Sequence, residues 1–341
     1  MWYSLPTNTI TTHDPDSYNN TPTETLSRVP PHSRRPPVKR LFLPALVFLA
    51  TAIAACAGQK VADPKMVEKV EKALPEKAPA KPKATRNILV FSKTAGFRHS
   101  SIELGTKAIA LMGDKTGAYT VTATEDESFL EPEKLAKFDA VFMLNTTENC
   151  FRPKVADKTN KEQVEAANKR EEELKKSLAD FVSSGKGLIG VHSATDTYKG
   201  WKEYNQMMGG AFVSHPWHKK VPVKVVDPKS PINAVFDGKD FEIADEIYMF
   251  RDDTALAKDR KFLLVMDIEK MDEKDKAGGK RKDGSYPISW INTFGKGRCF
   301  YCSLGHREEI FWNPTILQHY LAGIQYALGD LEADATPASA K

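Results

Sequence analysis

A chain of 341 residues allows one or two domains. Its 28% charged and 41% hydrophobic residues match an ordinary soluble protein and exclude a wholly disordered or polytopic one. The net charge is +4, with the basic excess concentrated in the first 85 residues; no basic stripe follows, so nucleic acid is a poor partner.

Residues 1–33 are rich in Thr, Ser, Asn and Pro, and read as a disordered arm or as translation from a start codon upstream of the true one. Residues 34–56 read as a secretory signal. Arg34, Arg35, Lys39 and Arg40 precede an apolar run from Leu41 that ends in small residues at Ala55. The run contains Pro44 and is shorter than the ~20 residues that cross a bilayer comfortably. Its end, Ile53-Ala54-Ala55-Cys56, resembles a bacterial lipobox, which implies acylation of Cys56. Ala57 after it implies an outer-membrane rather than inner-membrane destination. An uncleaved signal-anchor helix is the alternative. Either way the membrane is a partner and the protein is exported, as a periplasmic or outer-membrane-anchored lipoprotein.

Residues 57–85, dominated by Lys, Pro, Ala and Glu, read as a semi-extended tether. Folded sequence runs from 86 to 330. Ile88–Phe91 is an all-apolar run, expected of a strand buried on both faces. The loop Ser92–His99 leads to a helix from Ser100. Tyr119–Thr124 and Phe138–Leu144 are further strands, and 161–182 is a charged helix with Leu174, Leu178 and Phe181 at helical spacing. Gly187–Val191 follows as another buried strand. This order predicts an α/β fold, a mostly parallel sheet with helices on both faces. Later strands are expected at Val221–Val226, Glu246–Phe250, Phe262–Asp267, Pro287–Thr293 and Arg298–Ser303, with a closing helix Pro314–Leu328 stopped by Gly329. Residues 331–341 read as a disordered tail. Cys299 and Cys302 have C-x-x-C spacing, but residues three apart on a strand face opposite ways, so both are expected to be buried small side chains.

Open sheets bind ligands at the carboxyl ends of their strands. Four polar clusters sit at such ends or in the loops after them: Thr94–Ser100, His192–Thr197, Gly209–His218 and Leu304–Glu309. His192, His99, His215, His218 and His306 are candidates for one pocket, and Glu246 could add a carboxylate. An imidazole there can bind a metal, act as acid or base, or bond a sugar hydroxyl. Convergence of three such groups would suit zinc or another divalent metal.

The chain resembles the ThuA-like (trehalose-utilisation) family from end to end of residues 86–330. The marks are Gly96–His99, Gly187–His192, Trp201 and Tyr204 through Gly209, Gly210, Phe212, His215 and Pro216, Asp245–Tyr248, and Gly295–Arg298 through Leu304–His306. The resemblance implies a flavodoxin-like sheet of the class I glutamine amidotransferase type, and a role in disaccharide or keto-sugar metabolism. In amidotransferases a Cys occupies the sharp strand-to-helix turn. Here that apex is His192, with Ser193 beside it, so neither a thiol amidotransferase nor a serine hydrolase is expected.

The expected roles are His192, His215 and His306 in proton handling, or as metal ligands together with Glu246. Arg98, His99, Trp217 and His218 would contact substrate. Each has a structural alternative. His99 could simply start the helix with Ser100 as N-cap, and Arg98 could pair with a structural carboxylate. His215-Pro216 could fix a turn, while Asp196 could orient His192 or cap a helix. Tyr248 and Trp312 read as packing. The resulting expectation is a carbohydrate-processing protein using His-based acid/base or metal-assisted chemistry. The alternatives are a non-catalytic carbohydrate-binding lipoprotein or an interaction protein on a pseudo-amidotransferase fold.

Overall fold

Four of the five short strands in one half of the sheet supply apolar side chains to both faces, and the fifth, at the edge, to one. The computed structural model describes residues 61–251, 259–279, 281 and 283–337. The extension 1–33, the signal segment 34–56 and Cys56 lie outside the described residues. No helix among the described residues is long and apolar enough to cross a membrane.

The strands are β1 (Asn87–Phe91), β2 (Thr120–Thr124), β3 (Ala140–Leu144), β4 (Gly187–Val191), β5 (Phe212–Val225), β6 (Phe241–Phe250), β7 (Arg260–Met266), β8 (Pro287–Phe294) and β9 (Gly297–Cys302). They form one nine-stranded sheet ordered β2-β1-β3-β4-β9-β8-β7-β5-β6. The segment β2-β1-β3-β4-β9 is parallel throughout, the flavodoxin-like order with β9 in the fifth place. From β9 outward every pairing is antiparallel.

Side chains alternate across the sheet, so β1, β3, β4 and β9 each feed two cores, while β2 gives Val121 and Ala123 to one. Ile88 and Val90 enter one core and Leu89 and Phe91 the other, all four fully buried. Removing such a side chain from water stabilises the fold by about 1.5–3 kcal/mol. The first core packs α1 (Pro64–Ala73), α2 (Ile102–Thr116) and α7 (Pro314–Ala327). The second packs the short α3 (Pro132–Leu135), α4 (Lys161–Ser183) and α5 (Lys202–Met208). A sixth short helix, α6 (Glu273–Lys276), lies between β7 and β8. Cys299 belongs to the second core and Cys302 to the first, as alternation requires. Gly190 is needed because α5 seats directly on β4: a Cβ there would stand 2.1 Å from Met208 Sδ.

Three expectations are corrected. The tether is helical and packed from Pro64. Pro at a first helical turn costs no hydrogen bond, and the Asp63 carboxylate caps α1 by accepting from Lys65 N–H at 2.8 Å. Val70 is fully buried, and Lys69 lies 4.4 Å from the centroid of the Trp312 ring. Beyond α1, Ala80 exchanges two hydrogen bonds with the Gln325 side chain, and Arg86 clamps Asp330. The tail is likewise seated through Ala335, with Leu331 against the core and Glu332 paired to Lys83 and Arg298. Finally, Gly209–His218 is not a loop, because β5 begins at Phe212.

Candidate metal centre

Three loops at the carboxyl ends of parallel strands, and one strand of the antiparallel half, bring the site together. His192 follows β4 directly and takes φ +49°. For a residue with a Cβ this left-handed conformation costs roughly 1–3 kcal/mol, so the surroundings must hold it. They do: its carbonyl accepts from Tyr301 Oη at 2.6 Å, and its Nδ1–H donates to the Ser303 carbonyl at 2.8 Å. A carbonyl only accepts, so the proton sits on Nδ1 and the Nε2 lone pair faces the site.

His99 ends the loop after β1. Ser100 does not cap the next helix; its hydroxyl bonds Glu308, and Ser101 occupies the cap position. His99 Nδ1 lies 3.3 Å from Ser193 Oγ, and its Nε2 lies 3.2 Å from His192 Nε2. His306 follows β9 in a loop gripped by Asp245. That fully buried carboxylate accepts from Gly305 N–H at 2.6 Å, His306 N–H at 3.3 Å and Arg307 N–H at 2.9 Å.

Glu246 comes from β6, in the middle of the strand rather than at its start. Adjacent strand residues face opposite ways, which sends Asp245 to the backbone loop and Glu246 to the imidazoles. Glu246 Oε2 lies 3.4 Å from His192 Nε2 and 3.2 Å from His306 Nδ1. Ligand atoms of His99, His192, Glu246 and His306 all stand within 4.8 Å of one another. Groups around a tetrahedral zinc at ~2.0–2.1 Å are ~3.3 Å apart, which the three shortest contacts match. His306 Nδ1 is buried yet has no hydrogen-bond partner, since its approach to Glu246 misses bonding geometry. A buried nitrogen left without a proton partner suits a cation. The residues therefore fit a divalent metal with an N3O donor set.

The electrostatics are those of buried imidazoles crowded around one carboxylate. Burial, reinforced by the neighbouring His192 and His306, pushes the His99 imidazole down to about 3. The close Glu246 carboxylate raises His306. Burial pushes Glu246 up, but bonding from His192 and His306 outweighs it and holds the carboxylate well below its ordinary range.

His215 is expected as a metal ligand, but the structure puts His99 in that place. A register shift between Ser214 and Trp217, where Pro216 has no N–H to offer the ladder, turns His215 toward Glu246. Its Nδ1 lies 3.3 Å from Glu246 Oε1, and its half-exposed ring stacks on Phe212 at 5.8 Å. His218 pairs with Glu246 across the strands, and its ring lies 4.7 Å from that of His306.

Two expected substrate contacts fall outside the site. Trp217 is 1% exposed, donates its indole N–H to the Asp275 carbonyl at 2.9 Å and packs against Tyr286. It cannot form a wall of the pocket, because its strand neighbour His218 occupies the other face. The Arg98 guanidinium is committed to Glu103 at 2.9 Å and Glu125 at 2.8 Å. Asp196 neither orients His192 nor caps α5; it pairs with Lys199 at 2.6 Å. Sequence reasoning missed Asp245 as a support, although it lies in the motif that contains Glu246, while Tyr248 packs as expected. Tyr248 packs on His192 with ring centroids 4.2 Å apart.

The family model for ThuA, described as trehalose utilisation, matches residues 87–327. Among solved structures, a ThuA-like protein of Bacteroides uniformis is similar at 20% identity and a TM-score of 0.54, covering 75% of this chain and 97% of its own. A ThuA-like protein of Parabacteroides merdae is similar at 14% identity and a TM-score of 0.49, covering 75% and 93%. No curated protein matches the chain.

Proposed function

This chain belongs to the ThuA, or trehalose-utilisation, family, and from that we propose that it is an exported, metal-dependent carbohydrate-processing enzyme acting on a disaccharide or its keto derivative. The observation that carries the reading is the convergence of His99, His192, Glu246 and His306 within 4.8 Å. These four would hold the cation, which supplies Lewis acidity toward a sugar oxygen.

The residues around the centre divide the remaining work. Ser303 and Ser193 fix the ring orientations of His192 and His99. Glu246 uses its second oxygen to orient the half-exposed His215 through Nδ1, which leaves Nε2 with the free lone pair. A keto group acidifies the neighbouring C–H, and His215 Nε2 takes that proton while the glycosidic oxygen leaves with a proton returned to it. His218, exposed beside His306, is the imidazole placed to return it. Export through residues 34–56 with acylation at Cys56 completes the proposal, since both rest on the sequence of that segment.

Elemental analysis of the purified protein, with a turnover screen on trehalose and 3-keto disaccharides, tests the reading. Close to one divalent metal per chain is expected, lost in His192→Ala and in Glu246→Gln together with turnover. A wild-type protein that takes up none of zinc, manganese, nickel or cobalt would overturn it, as would equal turnover by wild type and His192→Ala. Sugar binding without turnover would move the reading to a carbohydrate-binding protein.

A further inference from the structure

An aromatic ring stands in the open at the mouth of the metal centre. Among the described residues the exposed large hydrophobics are Val61, Phe97, Val213 and Val226, and Phe97 is the one aromatic, 66% exposed. Its ring lies 4.8 Å from that of His99, edge to face at 82°. Leaving such a side chain in water forgoes the gain of burying it.

The exposure is built into the loop. Thr147 Oγ accepts from Gly96 N–H at 3.1 Å and donates to the Phe97 carbonyl at 3.1 Å, while the Thr147 carbonyl accepts from Ala95 N–H at 3.1 Å. Gly96 permits this approach, since a Cβ there would stand 2.8 Å from Glu148 Cγ. The turn carrying Phe97 is therefore pinned to the end of β3, with its ring one imidazole away from the centre. A rigid ring face beside a polar site is the chemistry that receives the C–H face of a sugar.

Resting on the carbohydrate reading above, we infer that Phe97 is the platform for the second, non-reacting ring of a two-ring sugar, whose other ring meets the His99–His192–Glu246–His306 group. Phe97 meets the centre through the His99 ring alone among its four residues. Its contribution is to binding and to discrimination between disaccharides and monosaccharides.

Calorimetry and turnover with trehalose, 3-keto-trehalose, glucose and 3-keto-glucose on the full, metal-loaded chain test this. For Phe97→Ala, affinity for the disaccharides should fall about tenfold, as expected for loss of one stacking contact, with the monosaccharides changed less than twofold. Phe97→Trp should restore disaccharide binding, and metal content should be unchanged in both variants. Disaccharide binding by Phe97→Ala within twofold of wild type would refute the platform, as would an equal loss for the monosaccharides. Failure of the wild type to bind any of the four sugars would instead remove the carbohydrate reading on which the platform rests.

Discussion

Asp245→Asn is the substitution that most sharply tests how the centre is held. The Asp245 carboxylate receives three backbone N–H bonds, two on Oδ2 and one on Oδ1, and is fully buried. An amide offers only one oxygen. If that oxygen takes the Gly305 side, the NH2 group confronts Arg307 N–H, donor against donor. Bonds to a charged group are worth about 1.5–3 kcal/mol and an orphaned buried N–H costs about 1–3 kcal/mol. Relief from burying a charge offsets part of this, leaving a net loss of roughly 2–4 kcal/mol. For a chain of this size that is roughly 5–15 °C in Tm. Because the three N–H groups belong to the loop bearing His306, metal affinity should also fall, by about 10–100-fold. Burial pushes the Asp245 carboxyl above its ordinary value, against the pull of His192 and of those N–H bonds. A neutral carboxyl is therefore the competing state. It already carries one donor, and an amide would replace it almost without cost. Thermal unfolding and metal titration of the variant decide between the two: a Tm within about 1 °C of wild type, with unchanged metal affinity, would refute the ionised grip.

Three further outcomes follow from burial and packing. Gly323→Ala in α7 should gain about 1 kcal/mol of helix propensity but place a Cβ 2.4 Å from the Phe300 ring. The clash should win, giving a net loss of about 1–3 kcal/mol by urea denaturation. His319 is buried between Ser289 Oγ and the Ile232 carbonyl, and burial lowers its imidazole from 6.5 to about 4. The unfolded chain therefore takes up this proton first, so stability should fall by roughly 3 kcal/mol as pH drops from 6.5 to 4. His319→Gln should show a shallower loss over that window in urea midpoints, and an equal slope would exclude the assignment. Cys150, Cys299 and Cys302 are buried, with burial pushing all three thiols up and Cys302 to about 12. None of the three should react with iodoacetamide before unfolding, which peptide mass mapping would show.

Much of the parallel half was legible because its signals are local. Ile88–Phe91 and Gly187–Val191 are apolar without interruption, and only a strand covered on both faces uses such runs. The antiparallel half was harder. β5 carries Ser214, His215 and Pro216 and then His218, Lys219 and Lys220, a composition that reads as loop until its partner β6 is known. Trp217 and His218 were assigned together to substrate contact because the segment was not read as a strand; on β5 alternation separates them, just as it separates Cys299 from Cys302. α1 was hidden by its prolines and charges. Pro64 stands where proline starts a helix, and the apolar stripe Met66, Val67, Val70 and Ala73 was overlooked in a segment read by its Lys, Pro, Ala and Glu content. His99 was legible as a pocket residue but not as a member of the metal cluster, since its place there depends on a partner 93 positions away.

The dipeptide Asp245-Glu246 explains why the loops of the parallel half meet the outermost strand of the antiparallel half at the centre. A parallel strand ends where its ligand-binding loop begins, so it can offer a site only loop residues such as His99, His192 and His306. A strand passing through the site in mid-ladder offers what a loop cannot: two neighbouring side chains fixed on opposite faces by the backbone itself. β6 passes in that way, and its ladder with β5 holds Glu246 opposite His218. One carboxylate then sets the loop that presents His306, while the next enters the imidazole cluster and orients His215 with its remaining oxygen. Sliding β6 by one residue would exchange the two acids, leaving the loop ungripped and the imidazoles facing the wrong carboxylate. The register of β5 and β6 is thus as much a part of the site as its histidines.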